Sequence, residues 1–201
     1  MTNVEDRHKA KMAKRKAAQD AEVASKPIHD KGLLIVHTGP GKGKSTAAFG
    51  LALRALGRGQ RVGVVQFIKG AWTTGERAAI ERFGDQVEWR AMGEGFTWET
   101  QDRARDVAAA GAAWNEAMRM MADPTMRLLV LDELNIALRY DHLPLADVVA
   151  ALTARTPSLH VVVTGRNAKP ELIEAADCVT EFTLIKHHFA AGVRAQEGIE
   201  F

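Results

Sequence analysis

The sequence contains a single cysteine, Cys178, among its 201 residues. An internal disulfide is therefore excluded, and we expect a reducing, cytoplasmic setting for the protein. Unpaired cysteines are among the most buried residue types. We therefore predict that Cys178 is a small buried hydrophobic residue.

Long apolar runs are also missing from the chain. No stretch approaches the roughly 18 to 20 apolar residues that a membrane-spanning helix needs, so we expect no association with a membrane. The N-terminus carries charges of both signs and lacks an apolar core, so it does not resemble a secretory signal. A hydrophobic share of 46% and a charged share of 26% are typical of a chain that buries a sizeable core.

Aromatic residues make up only 6% of the chain, and none precedes Phe49. The first 31 residues hold eight Lys/Arg and five Asp/Glu, whereas the remainder holds 19 basic and 20 acidic residues. A basic tail suggests a nucleic-acid-binding module as one alternative. Because this tail has no aromatic side chain to stack on bases, that alternative is unsupported, and we expect no nucleic-acid partner.

Composition divides the chain into two segments. Residues 4–24 are rich in Ala, Lys and Arg and contain neither Gly nor Pro, which predicts a helix. Residues 25–32 predict a linker. We assign residues 1–31 to a basic helical arm with its linker, and residues 32–201 to one nucleotide-binding domain. The arm is either a solvated helix or a segment that orders over a ligand or a partner subunit.

Short apolar runs alternate with helical patterns after residue 32, which is typical of a parallel sheet built from βαβ units. Strands are predicted at residues 33–37, 61–68, 86–91, 128–131, 159–164 and 178–184. Helices are predicted at residues 44–56, 75–83, 101–122, 145–153 and 170–176. The expected fold class is α/β, a P-loop (RecA-like), mostly parallel sheet flanked by helices.

A glycine-rich segment lies between the first predicted strand and the helix that follows it. Its glycines allow the backbone to approach an anion closely, and successive N–H groups there form a concave nest beside the helix N-terminus. Lys44 adds a cation for phosphates, and Ser45 adds a hydroxyl for Mg²⁺. We predict that this segment holds the triphosphate of a nucleotide through Thr38, Gly39, Pro40, Gly41, Lys42, Gly43, Lys44, Ser45 and Thr46.

The spacing of this segment differs by one position from the strict P-loop pattern, Gly-x4-Gly-Lys-Ser/Thr. Thr38 stands where the first glycine would fall, and Gly39 follows it. The alternative is a glycine-rich turn with an incidental lysine. A predicted strand before the segment and a predicted helix after it favour phosphate binding.

Polar residues also follow other predicted strands. Asp132 and Glu133 come directly after the strand at 128–131, and with Ser45 they form a predicted Mg²⁺ site at the carboxyl edge of the sheet. The alternative for Asp132 is a helix cap. Arg166 and Gln66, at the ends of two further strands, are possible ligand contacts. An ordinary exposed turn is the alternative for Arg166.

Several segments together resemble the CobA/CobO/BtuR-type ATP:corrinoid adenosyltransferases. They are residues 38–50, 65–70, 95–98, 131–135, 163–167 and 195–201. The resemblance covers about residues 30–201 in order, and it includes the displaced first glycine. Family members often have Asn in place of Pro40 and Thr in place of Ser45, and neither difference removes the backbone nest or the hydroxyl.

The resemblance implies an enzyme that transfers the 5′-deoxyadenosyl group of ATP to the Co(I) centre of a corrinoid and releases triphosphate. It implies Mg²⁺ as a cofactor, ATP as co-substrate and a reduced corrinoid as substrate, in adenosylcobalamin biosynthesis or salvage. A flavoprotein or another reductant and a second copy of the chain, in a homodimer, are the implied partners. The arm resembles the helix that covers the corrinoid pocket of a neighbouring subunit in this family.

Catalytic roles carry over to Lys44 and Ser45 and to the aromatic pair Phe96 and Trp98. In the family, aromatics of this loop press on the corrin face and displace its lower axial ligand. The alternative is that both are core anchors of a long loop. A P-loop ATPase or kinase is the alternative for the whole chain, because two adjacent carboxylates after a strand also match a hydrolytic pair. We predict no cobalt-ligand role for the histidine pair at 187–188.

Overall fold

The computed structural model describes residues 4–27, 31–68, 74–93 and 102–200. The chain divides into two compact units between residues 30 and 31. The first unit contains helix α1 (Val4–Ser25), which carries acidic residues in its first turn and is exposed along its whole length. None of the described helices has both the length and the apolar character that crossing a bilayer requires.

The second unit is built on a parallel sheet whose strand order is β3-β2-β4-β5-β1-β6. Its strands are β1 (Leu34–Thr38), β2 (Arg61–Gln66), β3 (Val87–Ala91), β4 (Met126–Asp132), β5 (His160–Thr164) and β6 (Cys178–Glu181). Its helices are α2 (Lys44–Leu56), α3 (Gly75–Ile80), α4 (Arg103–Ala122), α5 (Leu134–Arg139), α6 (Leu145–Thr153) and α7 (Pro170–Ala175). Short 3₁₀-helical segments span Glu81–Gln86, with a kink at Gly84, and His188–Ala191.

Apolar clusters cover both faces of the sheet. On one face, α2 packs through Ala48, Phe49 and Ala52 against inward-facing residues of β2, β4 and β5. On the other face, α4, α5, α6 and α7 bury their apolar residues against β1, β2, β4 and β5. The central strands are apolar on both sides because helices cover both faces.

This architecture confirms the expected P-loop α/β fold with a parallel sheet flanked by helices. Strand β5 lies between β1, which leads into the glycine-rich segment, and β4, which ends in Asp132. All strands run the same way, so their carboxyl ends meet at one edge. That edge gathers the buried polar residues Thr38, Gln66, Asp132 and Thr164.

Several boundaries differ from those predicted from sequence. The helix expected at 75–83 ends at Ile80 and continues as 3₁₀ helix, and the strand expected at 178–184 ends at Glu181. The prediction that Cys178 is buried was wrong, because the residue is exposed. Its strand, β6, pairs only with β1 among the described strands, and all four of its residues are exposed.

Candidate active site

The glycine-rich segment forms a sharp turn between β1 and α2. Gly39 and Gly43 have φ of 96° and 103°, in the left-handed region that favours glycine. Gly41 is needed for a different reason, because a side chain there would come 2.6 Å from the carbonyl oxygen of Thr183. Helix α2 begins at Lys44, so its first N–H groups lie at the end of this loop. We call residues 38–46 the phosphate loop.

The chain after β6 uses one donor of the phosphate loop. Gly41 N donates to the carbonyl oxygen of Phe182 at 2.7 Å, and Phe182 N donates to the carbonyl oxygen of Thr38 at 2.8 Å. Residues after β6 therefore lie directly against the loop. The Gly41 N–H is committed to them and does not point at a ligand.

The side chain of Lys44 folds inside the phosphate loop. Its Nζ donates to the carbonyl oxygens of Gly39 at 2.8 Å and Gly41 at 2.5 Å, and the residue is 8% exposed. Burial lowers the pKa of the Lys44 ammonium; the nearby Glu133 carboxylate acts in the opposite direction. The loop therefore holds a cation at its centre through its own backbone oxygens.

Ser45 and Asp132 meet beside the phosphate loop. Ser45 Oγ donates to Asp132 Oδ1 at 2.6 Å, and Thr164 Oγ1 donates to the same oxygen at 2.8 Å. The alternative of a helix cap at Asp132 does not hold. Helix α5 is preceded by Glu133, in a left-handed conformation with φ of 64° and without a side-chain cap, while Asp132 is fully buried.

Gln66 lies behind Asp132. Its Nε2 donates to Asp132 Oδ2 at 3.0 Å, and its Oε1 accepts a hydrogen bond from Trp89 Nε1 at 3.1 Å. Both ends of the Gln66 amide are thus bonded inside the protein, and the residue is 2% exposed. These bonds fix the orientation of the Asp132 carboxylate, and the ligand contact of Gln66 stays a prediction. Sequence reasoning did not single out Trp89.

Hydrogen bonds join the ends of β4 and β5. Glu133 N donates to Thr164 Oγ1 at 3.0 Å, and Asn135 Nδ2 donates to the carbonyl oxygen of Gly165 at 3.0 Å. A side chain at Gly165 would lie 3.0 Å from Glu133 Oε2. These contacts hold Glu133 and the exposed Arg166 at the rim of one cavity.

A cavity of about 780 Å³ opens over the phosphate loop. Part of its lining mixes apolar, aromatic and charged groups, namely Ile68, Glu76, Glu133, Ile136, Arg139, Tyr140 and Arg166. The rest of its lining consists of the loop residues 41–46 and of Lys186, His187, His188, Ile199 and Glu200. The volume is in the range of cavities that take a small molecule or cofactor.

The structure separates the predicted site residues into groups. The cavity is lined by Gly41, Lys42, Gly43, Lys44, Ser45, Thr46, Glu133 and Arg166. The remaining predicted residues either support it or lie elsewhere. The Thr38 hydroxyl accepts a hydrogen bond from the backbone N–H of residue 168, and residue 40 is exposed outside the lining.

Two predicted residues, Phe96 and Trp98, lie outside the described residues. Conversely, sequence reasoning missed Arg139, Tyr140 and Lys186 as lining residues. Glu200 was included only in the tail segment of the family resemblance. No local motif marks these positions, because the tertiary structure alone places them at the cavity.

Comparisons with known proteins show the family of the chain. Residues 30–201 match the family described as ATP:corrinoid adenosyltransferase BtuR/CobO/CobP, and residues 1–23 match the segment described as Cob(I)alamin adenosyltransferase N terminal. A corrinoid adenosyltransferase from Pseudomonas aeruginosa is 55% identical over 98% of this chain and 97% of its own length. One from Sinorhizobium is 56% identical over 97% and 92%, and CobA from Salmonella typhimurium is 48% identical over 98% and 99%. The chain belongs to the ATP:corrinoid adenosyltransferase family.

Proposed function

We propose that the chain transfers the 5′-deoxyadenosyl group of ATP to the Co(I) centre of a corrinoid and releases triphosphate, in the biosynthesis or salvage of adenosylcobalamin. The observation that carries this proposal is a cavity lined both by the phosphate loop and by apolar and aromatic side chains. The loop suits the polyphosphate of ATP. Ile68, Ile136 and Tyr140 offer an apolar surface for the other reactant.

The chemistry requires little from general acids or bases. Co(I) donates its electron pair to C5′ of the ribose, a Co–C bond forms, and cobalt passes formally to Co(III). The bond between C5′ and its oxygen breaks, and its electron pair leaves with the triphosphate. Holding the cobalt and C5′ at reactive distance contributes on the order of 7–11 kcal/mol in well-oriented reactions.

The phosphate loop stabilises the leaving group. Negative charge develops on the triphosphate as the C5′–O bond breaks. The buried Lys44 ammonium and the N–H groups at the start of α2 provide positive charge beside the phosphates. Donors aimed at charge that develops in the transition state accelerate the reaction most.

The oxygen donors beside the loop fit Mg²⁺. A hydroxyl, Ser45 Oγ, lies 2.6 Å from a buried carboxylate oxygen of Asp132, and Glu133 lines the cavity next to them. Hydroxyl and carboxylate oxygens are ligands that Mg²⁺ prefers. We propose that Ser45, Asp132 and Glu133 hold the ion. When bound, Mg²⁺ would supply charge neutralisation for the phosphates.

The roles of Phe96 and Trp98 follow from the family resemblance. We propose that the two side chains contact the lower corrin face and exclude the axial ligand, which makes cobalt easier to reduce. Replacement of both by alanine is expected to lower activity on the intact cofactor roughly 100-fold, or about 2.7 kcal/mol. Steady-state kinetics and a thermal melt of the same sample measure the effect, and comparable losses of activity and stability would contradict this role.

The proposed reaction also requires partners. Co(I) has to be generated by reduction, so we propose a flavoprotein or another reductant as electron donor. A homodimer, with the arm of one copy over the corrinoid of the other, is proposed from the family resemblance. A cytoplasmic location is proposed from the single cysteine.

Product analysis tests the proposed function. The full chain is incubated with Mg·ATP and a chemically reduced corrinoid, and we expect a Co–C bond that light cleaves, together with one triphosphate for each bond. Omission of the corrinoid is the control and should leave ATP intact. Formation of ADP and phosphate, or of a phosphorylated acceptor, would instead identify the ATPase or kinase alternative.

A further inference from the structure

The chain after β6 forms one wall of the cavity. It leaves the sheet at Phe182, whose backbone N–H and carbonyl oxygen are both hydrogen-bonded to the phosphate loop. It returns to the cavity at residues 186–188 and again at 199–200. We call the group Lys42, Lys186, His187, His188, Ile199 and Glu200 the tail wall.

Positive and donor groups outnumber acids on the tail wall. It contains two lysines and two histidines, and Glu200 is its one carboxylate. Glu200 Oε2 accepts a hydrogen bond from Lys42 Nζ at 2.6 Å, and Oε1 lies 3.3 Å from His188 Nε2. The hydrogen bond from Lys42 lowers the pKa of Glu200, with smaller contributions from the charges of Lys42, His188 and His187 and an opposing one from burial.

The same groups have a spacing that would suit a metal ion. His187, His188 and Glu200 offer ligand atoms within 4.8 Å of one another. A metal requires a lone pair on a ring nitrogen, yet His187 Nδ1 already accepts a hydrogen bond from Phe189 N at 3.1 Å. The other His187 nitrogen therefore carries a proton. The Lys42 ammonium beside Glu200 would also repel a cation.

Hydrogen bonding thus makes the tail wall a site for an anion. Its donors are an ammonium on Lys42 and a ring N–H on His187, and His188 Nε2 faces the Glu200 carboxylate. The Glu200 carboxylate now occupies the Lys42 ammonium and lies against His188 Nε2. A phosphate has the same charge sign and more acceptor oxygens, so it can replace the carboxylate on the same donors.

The phosphate loop itself gives a reason for a second subsite. The N–H of Gly41 is bonded to Phe182, and the Lys44 ammonium is bonded to two loop carbonyls. The loop therefore presents fewer groups to a polyphosphate than its sequence suggests. A triphosphate carries several charges, and those beyond the loop require other cations.

We propose that the tail wall is a second anion subsite, for the phosphates of ATP that extend beyond the loop, and that the Glu200 carboxylate fills it until polyphosphate displaces it. This inference rests on the proposed function for the identity of the ligand. Glu200 competes with the polyphosphate for Lys42 and His188. After the reaction the Glu200 carboxylate returns to Lys42 and His188, which lowers the affinity of the site for the released triphosphate.

Binding measurements on the Glu200→Gln variant of the full chain test the inference. Glutamine keeps the size of the side chain and removes its charge. We expect inorganic tripolyphosphate and Mg·ATP to bind about tenfold more tightly than to the unmodified chain, and AMP, which lacks the distal phosphates, to change by less than about twofold. Calorimetric titration at fixed salt measures all three ligands.

Two further variants give matched comparisons. Glu197→Gln removes an exposed carboxylate from the same segment and should leave all three affinities unchanged. His188→Gln alters a donor of the tail wall and leaves the Lys42–Glu200 ion pair, so tripolyphosphate should bind several-fold more weakly, on the order of fivefold. The His188→Gln titration also tests the subsite if Glu200→Gln fails to fold in a thermal melt.

Specific results would overturn the inference. Unchanged or weaker tripolyphosphate binding in Glu200→Gln would show that the carboxylate does not compete for the subsite. Equal gains for AMP and tripolyphosphate would indicate a general charge effect without a distal subsite. Because no corrinoid is present in these titrations, failure of adenosyl transfer would contradict the proposed function separately.

Discussion

Replacing Lys44 with methionine is expected to lower kcat/KM for adenosyl transfer about 10³-fold, a loss of roughly 4 kcal/mol of transition-state stabilisation. The Lys44 ammonium is buried within the phosphate loop, where it bonds to the carbonyl oxygens of Gly39 and Gly41. Methionine has a similar length and no charge. The variant therefore keeps the length of the side chain and lacks the cation that we propose acts on the leaving triphosphate.

The measurement for Lys44→Met combines kinetics with stability. Co–C bond formation gives the activity, calorimetry gives the affinity for Mg·ATP, and a thermal melt reports folding. The variant also removes the donor to two loop carbonyl oxygens, so the melt separates any loss of stability from the loss of activity. Lys169→Met is the matched control, because Lys169 pairs with Asp141 outside the cavity lining. Near-normal activity in Lys44→Met would show that the loop does not hold the reacting polyphosphate.

The strands and the phosphate loop could be predicted because the local sequence patterns match the elements of the sheet. Apolar runs that alternate with helical periodicity predicted each described strand within a few residues. The glycines ahead of Lys44 predicted the loop between β1 and α2. Both features depend on residues that are close in sequence, where propensity and turn chemistry act directly.

The hydrogen bonds that hold the site residues in place could not be predicted in the same way. Gln66 and Asp132 end neighbouring strands, and the β2–β4 register places them opposite each other. The pairing of β2 with β4 places Gln66 beside the carboxylate, and the pairing of β2 with β3 brings Trp89 to Gln66. A sequence gives the strand ends without their pairing, so Gln66 seemed available for a ligand.

The end of the chain illustrates a second limit. Glu200 lies 158 residues after Lys42, and the contact between them forms because β6 pairs with β1 and directs the following residues over the loop. The failure of the Cys178 prediction has the same origin. Its position on a strand was correctly expected, but the place of that strand in the sheet decides the exposure of the side chain.

Replacing Asp132 with asparagine is expected to reduce kcat about 100-fold, roughly 2.7 kcal/mol, and to raise the Mg²⁺ concentration needed for half-maximal activity. Asp132 accepts hydrogen bonds from Ser45, Gln66 and Thr164. The hydroxyls can rotate to accept from the new amide, so the buried site remains hydrogen-bonded while the metal loses a charged ligand.

A double-mutant cycle separates the metal site from ordinary packing. If Ser45 and Asp132 hold one ion, Ser45→Ala should have little further effect once Asp132→Asn is present, because the two residues act as a unit. Asp147→Asn, at an exposed residue in the first turn of α6, is the control and should behave like the unmodified chain. Two results together would show that this pair does not bind the ion. The fold losses of activity in the single variants would multiply in the double variant, and both single variants would keep an unchanged Mg²⁺ requirement.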